Sequence, residues 1–467
     1  MEPEDHVLDK LDNAETSKFF WLLTVLSTIG GFLFGYDTSN IGIVEGFLPA
    51  GYVTANPFIK GYLFSGVSLG AAVGALAAAA LIDRYGRKSL LIVDAFLYSL
   101  GAILSAVTVN LLMLLLSRTI IGIAVGADSA IATAYISEWA PKRRRGRFSI
   151  LQQWMITVGI LGAYLIGLAV LYGLPSQAYG LDWRIMLGVA AVPSLIGLAL
   201  RFVMPESPRW LVAKGKYDQA VSSFKKLGVD TNAEELKKQY PSSSNRKKMT
   251  PGVKRAFLIV GLFMAFQQIT GINIPFYYGP LIIRSLHLVA STSQPVFSEE
   301  FAVEAASIFA IINVAATYIG FRFIDRAGRR TLAVAGYSGM AFFGFLGALL
   351  RYSNNSIGML VSMALFIVFF AFGVGGTGWI IQGEYFPTEY RGTLASLIAF
   401  IDWIANFAIV EIFPYMDNTI HIAGSLLVFG TLSVIAAVLF YKIMPRTKGK
   451  SVEEITKMFD DMAAPKH

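Results

Sequence analysis

Asp83-Arg84-Tyr85-Gly86-Arg87-Lys88 and Asp325-Arg326-Ala327-Gly328-Arg329-Arg330 are two versions of one loop, the second standing 242 positions after the first. Each follows an apolar run long enough to cross a bilayer. A second motif pair agrees. Glu138-Trp139-Ala140-Pro141 with Arg145-Gly146 returns as Glu384-Tyr385-Phe386-Pro387 with Arg391-Gly392, 246 positions on. Two independent pairs at nearly one offset mark an internal duplication, each copy carrying half of the spans.

Apolar runs begin near Phe19, Ile59, Ser89, Leu111, Phe148, Ile185, Ala256, Phe301, Thr331, Ile357, Gly392 and Thr419, twelve in all. The 467 residues are 55% hydrophobic and only 15% charged, too little charge to coat a soluble core of this size, so the apolar excess must face lipid. The runs are apolar on every helical face and do not alternate as barrel strands do. The expected fold is an all-α membrane protein with twelve transmembrane helices in two pseudo-symmetric six-helix bundles. Basic residues orient it. Arg84, Arg87 and Lys88, then Lys142, Arg143, Arg144, Arg145 and Arg147, then Arg322, Arg326, Arg329 and Arg330 crowd the even-numbered connections. The odd-numbered ones hold Lys60, Arg184, Arg284 and Arg351, roughly one each, which puts both termini in the cytoplasm. The organisation expected is a cytoplasmic tail over 1–18, a bundle over 19–204, a cytoplasmic helical linker over 205–252, a bundle over 253–443 and a tail over 444–467. Within the linker, apolar residues recur at helical spacing from Leu211 to Leu227 ahead of Pro241-Ser242-Ser243-Ser244; a disordered linker is the competing reading.

Several function classes fall away. There is no cysteine, the four histidines form no HExxH pair, and no GxxxxGK[ST] loop is present, so thiol, metal and nucleotide chemistry have no site and no metal is expected. No enzyme is expected. The acidic stretch from Met1 to Lys18 lacks the basic start of a signal peptide, so the run from Phe19 is read as a retained span. The net charge of +8 would suggest nucleic acid in a soluble protein, but here it sits on membrane loops and no nucleic-acid partner is expected.

Charges within spans are candidates for function by default. Asp37 lies about 18 residues, or ~27 Å, into an outward-running span, and Arg118 about 7 residues, or ~10 Å, into an inward-running one. Both fall in the outer half, where an Asp that alternately pairs with Arg and loses it is a proton switch; a static buried pair is the alternative. Asp128, ten residues past Arg118, faces another side, a poor partner for it in one conformation and a candidate for a later relay. Asp94 is read as reaching the interface or pairing with the Arg87 loop. At mid-depth, Gln267, Gln268 and Asn273 surround the helix breakers Gly271 and Pro275, the amide-rich broken helix that a hydroxylated solute requires. Asn313 is also near mid-depth, with Gln153 nearer the inside.

These strings, together with Phe34-Gly35-Tyr36-Asp37, Gln267-Gln268-x-x-Gly271-Ile272-Asn273 and Pro205-Glu206-Ser207-Pro208-Arg209-Trp210-Leu211, resemble the sugar porter branch of the major facilitator superfamily from about residue 25 to 450. The resemblance implies the major facilitator fold and a proton-coupling pair of Asp37 and Arg118, as in bacterial proton-sugar symporters. It places Phe34, Gln153, Gln267, Gln268, Asn273, Asn313, Gly375 and Trp379 around the sugar, with Tyr277 and Tyr278 on the outer gate; a packing role is the alternative for Trp379. A cytoplasmic gate is expected from Asp83, Arg84, Gly86, Arg87, Glu138, Arg145 and Glu206, with Asp325, Arg326, Gly328, Arg329, Glu384 and Arg391 as its counterpart. The alternative is that these arginines only enforce topology and bind lipid heads.

Four positions depart from the family pattern. Ala190 stands where some symporters carry an acid, Ile160 replaces an amide, Arg446 replaces the acid of a closing P-E-T-K-G string, and Asp402 replaces an amide before Trp403. Arg446 leaves the second cluster looser or reliant on Glu453 or Glu454. Asp402 joins the substrate-binding candidates and leaves a polyol or other hydroxylated solute open. The expectation is secondary active transport of a monosaccharide across the plasma membrane by alternating access, as a proton symporter working as a monomer among membrane lipids. No cofactor is expected beyond the coupling proton. A proton-independent facilitator is the nearest rival, and a non-transporting sugar sensor a more distant one, disfavoured by the short tail after Lys450.

Overall fold

A computed structural model describes residues 7, 10–11, 18–52, 54, 56–139, 145–174, 180–240, 249–286, 295–448, 450 and 452–463. Side chains at 18, 137, 145–150, 295–298, 321, 324–326, 388–389, 391 and 452–453 lie outside that description, among them Arg145, Asp325, Arg326, Arg391 and Glu453. No strand occurs among the described residues.

The first half runs α1 Lys18–Val44, α2 Pro57–Tyr85, α3 Arg87–Ala106, α4 Leu111–Trp139 and α5 Arg145–Gly173, then a sixth span in two pieces, α6 Asp182–Gly188 and α7 Ala191–Arg201. The break falls just ahead of Pro193, whose ring clashes with the carbonyl four residues back and which has no N–H to donate. Three short helices follow, α8 Pro208–Ala213, α9 Tyr217–Lys226 and α10 Ala233–Gln239. The second half opens with α11 Pro251–Ile269, α12 Ile274–Tyr277 and α13 Gly279–Ser285, a seventh span broken twice. It continues with α14 Pro295–Ala327, α15 Arg329–Tyr352, α16 Ser356–Phe369, a π-helical segment Phe370–Gly375, α17 Gly376–Glu384 and α18 Thr388–Ile443, and ends in α19 Val452–Ala463. Several starts are written in the sequence. Asn56-Pro57, Ser207-Pro208 and Thr250-Pro251 each supply a capping oxygen and a proline at the first helical position, and all three caps form.

Eleven described helices are long and apolar enough to cross a membrane. The last of them is really two spans. Within its 56 residues His421 adopts φ 58°, ψ 174°, a backbone no helix contains, and the chain turns there, which restores the expected twelve.

Between the halves, α2 packs on α18 and α5 on α14. In span order these are the second against the eleventh and the fifth against the eighth, and the duplication exchanges the two pairings. The interface is thus the pseudo-symmetric product of one repeated helix face. Inside the first half, α2 and α4 meet backbone to backbone. A Cβ on Gly70 or Gly74 would strike the Thr119 or Ile123 carbonyl, and one on Gly122 or Gly126 the Val67 or Ala71 carbonyl. Helices surrounded by lipid gain no hydrophobic drive from meeting, so close approach through small residues supplies the van der Waals contact instead.

This packing predicts a graded effect. Gly122→Ala should destabilise the folded protein by about 1–3 kcal/mol, the usual cost of overpacking, and lower its melting temperature in detergent. Gly173→Ala, where nothing lies within 4 Å of the new methyl, should leave it unchanged.

Candidate functional site

The carboxylate of Asp37 on α1 receives Arg118 Nη1 at 3.3 Å and Nη2 at 3.2 Å from α4, a two-pronged pair with Arg118 fully buried and Asp37 3% exposed. Arg118 Nε has no hydrogen-bond partner. The Tyr277 hydroxyl of α12 lies 3.5 Å from Ser68 Oγ of α2, and a Cβ on Gly42 of α1 would strike the Tyr277 carbonyl. A segment of the second half therefore packs closely on α1, the helix that carries Asp37.

The amides gather where the seventh span breaks. Gly271 takes φ +84°, a backbone that favours glycine, and lets the chain turn between α11 and α12. Around that turn Asn273 Nδ2 donates to Gln268 Oε1 at 2.7 Å and to Asn406 Oδ1 at 3.2 Å, while Gln268 Nε2 donates to Asp402 Oδ1 at 2.7 Å. Asp402 thus belongs to the same hydrogen-bonded chain as the two amides. Trp379 Nε1 donates to Gln153 Oε1 at 2.9 Å across the halves, and the Gln153 amide faces Gly375. Gln267 faces Gly378. Phe34 meets Trp403 edge to face at 4.6 Å, and the Trp403 indole donates to Ser129 at 3.1 Å. Gln267 Oε1, Asn313 Oδ1 and Asn406 Nδ2 are buried without partners, leaving donors and acceptors for a polar ligand. Tyr278 donates to the Val410 carbonyl at 2.9 Å and packs on Phe64 of the first half at 4.1 Å.

The halves meet on both sides of these amides. On the face away from the basic loops, Arg284 bonds Glu45 at 3.1 Å and Glu299 at 2.5 Å, Lys60 pairs with Glu45 at 3.2 Å, and Ser65 donates to Glu411 at 2.5 Å. In the sequence Lys60 and Arg284 read as isolated charges near span ends, and nothing there singles out Glu45, Glu299 or Glu411. The only signal was acids recurring at the same ends as the isolated bases.

On the basic-loop face, Arg87 bonds Glu138 at 2.6 Å and Asp83 at 3.5 Å, and its Nη2 lies 3.6 Å from the position a Gly392 Cβ would take. Glu206 accepts from the backbone N–H of Arg87 at 3.0 Å, Lys88 at 3.2 Å and Ser207 at 2.8 Å, so a carboxylate caps the start of α3 where the helix dipole favours it. Burial raises the Glu206 carboxyl above its ordinary value, against the pull of those three donors. Gly86 at φ +89° leaves room for the Glu206 carboxylate, which a Cβ would hit. In the second half Arg329 bonds Glu384 at 2.7 Å, but the neighbour of Gly328 is Lys448, and Arg446 is exposed. The capping acid therefore has no counterpart there among the described side chains. Arg84 lies exposed over the Tyr85 ring, apart from the Arg87 network.

One reading is corrected. Asp94 neither reaches the interface nor pairs with the Arg87 loop: it is buried and bonded to Arg201 of α7, which also holds Asp128. Arg201 had not been singled out. It sits in the last turn of an apolar span, where a base reads as topology, and helix depth alone does not say which neighbour it faces.

A family model described as "Sugar (and other) transporter" matches residues 23–459. The chain is 32% identical over 452 residues to the arabinose-proton symporter of Bacillus subtilis (strain 168), covering 94% of this chain and 95% of that protein. It is 33% identical over 448 residues to the galactose-proton symporter of Escherichia coli (strain K12), covering 92% of each. The proton:xylose symporter XylE bound to 6-bromo-6-deoxy-D-glucose superposes with a TM-score of 0.82 at 28% identity, over 95% of this chain and 100% of that one. These relatives are transporters rather than enzymes, and by the duplicated loops, the paired bundles and a match spanning nearly its whole length the chain belongs to the sugar transporter family of the major facilitator superfamily.

Proposed function

We propose that this protein carries a monosaccharide together with a proton by alternating access. The carrying observation is the close packing of Tyr277 on α1, the helix that holds the buried Asp37 against Arg118. Tyr277 lies on the short segment that begins at Asn273, whose amide belongs to the Gln268 and Asp402 chain. A sugar that bonds these amides moves the segment, and the segment moves against the helix that carries Asp37. Water and a proton then reach Asp37 in one arrangement and are excluded in the other. Protonated Asp37 no longer holds Arg118, which frees the first half to rock against the second. The symport names of the relatives support the same reading.

The two latches fit the cycle. Glu45 with Arg284 and Ser65 with Glu411 close the outer side, while the Arg87, Glu138 and Glu206 cluster against Gly392 closes the inner one. This assigns 19–204 and 253–443 as the rocking halves, 205–252 as a cytoplasmic linker, and 1–18 and 444–467 as cytoplasmic tails. The setting is the plasma membrane, the functional unit a monomer surrounded by lipid, the coupling ion a proton, and nucleic acid plays no part. A second reading, a polyol or other hydroxylated solute as substrate, is favoured by Asp402. Its carboxylate already accepts from Gln268 and has a second oxygen for paired hydroxyls.

Two variants in proteoliposomes test this. Asp37→Asn should abolish gradient-driven accumulation, bringing internal sugar down to the external level, and leave counterflow exchange intact; accumulation that survives would make the pair structural and the protein a facilitator or coupled elsewhere. Asp402→Asn should change the relative affinities of a sugar and polyol panel by roughly tenfold, about 1.4 kcal/mol, read by competition against labelled substrate, whereas an unchanged panel would place that carboxylate outside the site.

A further inference from the structure

Asp94 on α3, Asp128 on α4 and Arg201 at the end of α7 meet inside the first half, each at most 3% exposed. Arg201 Nη1 donates to Asp94 Oδ1 and to the Leu91 carbonyl at 2.6 Å, and Nη2 donates to Asp128 Oδ1. The two carboxyl groups are held side by side on the two terminal nitrogens of one guanidinium. Asp94 Oδ2 and Asp128 Oδ2 have no hydrogen-bond partner. From α1 the cluster faces Gly30, whose missing side chain makes room for the Asp128 carboxylate. No charged group beyond these three acts on it among the described residues.

Charge balance decides what this cluster holds. Two ionised carboxylates on one guanidinium leave a net negative charge buried with two unmet acceptors, and burying uncompensated charge is strongly unfavourable. A single proton resolves both problems. Placed on one carboxyl and donated to the other, it satisfies the two orphaned oxygens and brings the cluster to neutrality, the arrangement that paired carboxyls adopt when both cannot ionise together.

We infer that Asp94 and Asp128 hold one proton between them against Arg201, a second proton-binding site in the first half, separate from Asp37 and Arg118. Asp128 stands ten residues beyond Arg118 on α4, about 15 Å along the helix toward the basic-loop face. The two sites are therefore stacked across the bundle at different depths, and the inner one lies against α1, the helix that carries Asp37. The inference stands on charge and geometry alone and holds whether or not transport is proton-coupled.

Infrared spectra of the protein in lipid at neutral pH, recorded in light and heavy water without sugar or gradient, read the carbonyl stretch of protonated carboxyls. In an Asp37→Asn, Asp402→Asn background one such band should disappear on adding either Asp94→Asn or Asp128→Asn, because the remaining carboxylate pairs one to one with Arg201 and ionises. A band unchanged by both substitutions overturns the inference. Melting gives an independent arm that does not rely on any one variant folding well. Each single Asn variant replaces a protonated carboxyl by an amide of its own shape and should melt within a few degrees of the parent, while the double variant strips Arg201 of both charges and should melt far lower. Single variants as damaged as the double would mean that both carboxylates are ionised, and the site would be a structural ion cluster only.

Discussion

Inside a bilayer no water is available to complete a hydrogen bond, and most of this structure follows from that lack. Backbone groups must be satisfied within the chain, so the spans are helices and depart from helix only where protein covers the break. The departures at Pro193, at Gly271 and in the π-helical segment Phe370–Gly375 all fall inside the bundles. Charge obeys the same constraint. Asp37, Asp94, Asp128, Arg118 and Arg201 are buried at membrane depth, and each touches an opposite charge. With lipid on the outside, burial itself drives no association, which is why α2 and α4 are joined through glycines rather than through large side chains.

Duplication produced two similar frames with different contents. The first half holds the buried ion pairs, and the second holds the amide chain from Asn273 through Gln268 to Asp402. Contacts that cross between them are correspondingly specific: Tyr277 on Ser68, Gln153 on Trp379, Ser129 on Trp403. The basic-loop clusters diverged as well. Glu206 caps α3 by accepting from the backbone N–H of Arg87 and Lys88 in the first half, whereas Gly328 at the matching place sits against Lys448.

Spans, duplication and family were legible because each is written locally: apolar runs, a loop motif repeated at a fixed offset, a capping residue before a proline. The meeting of Asp37 with Arg118 was also within reach, since depth along two antiparallel helices is simple arithmetic. Asp94 was not. Its partner lies 107 residues away on another helix, and depth places both charges without saying which faces of α3, α4 and α7 turn toward one another. The outer latch failed for a related reason: Lys60 and Arg284 near span ends look like topology, and only packing of the two halves shows that Glu45 lies between them. Where a contact depends on how helices rotate about their axes, apolar runs with no polar stripe give no rotation to read.

Closure on both sides of the amides constrains the energetics of any rocking motion. Exposed ion pairs contribute about 0–1 kcal/mol each and hydrogen bonds to charged groups about 1.5–3 kcal/mol. A latch of two or three such contacts therefore amounts to a few kcal/mol, not tens. That is the range in which a ligand with unequal affinity for two arrangements shifts their populations, since a shift from one dominant state to the other takes about 5.5 kcal/mol of differential binding. Much stronger latches would trap one state, and latches without charge would let both sides open at once. The Arg87 and Arg284 clusters each join one arginine to two acids, Arg87 buried and Arg284 partly exposed, and sit between those limits. On the proposed cycle, latches of that strength let ligand binding at Gln268, Asn273 and Asp402 decide which of them opens.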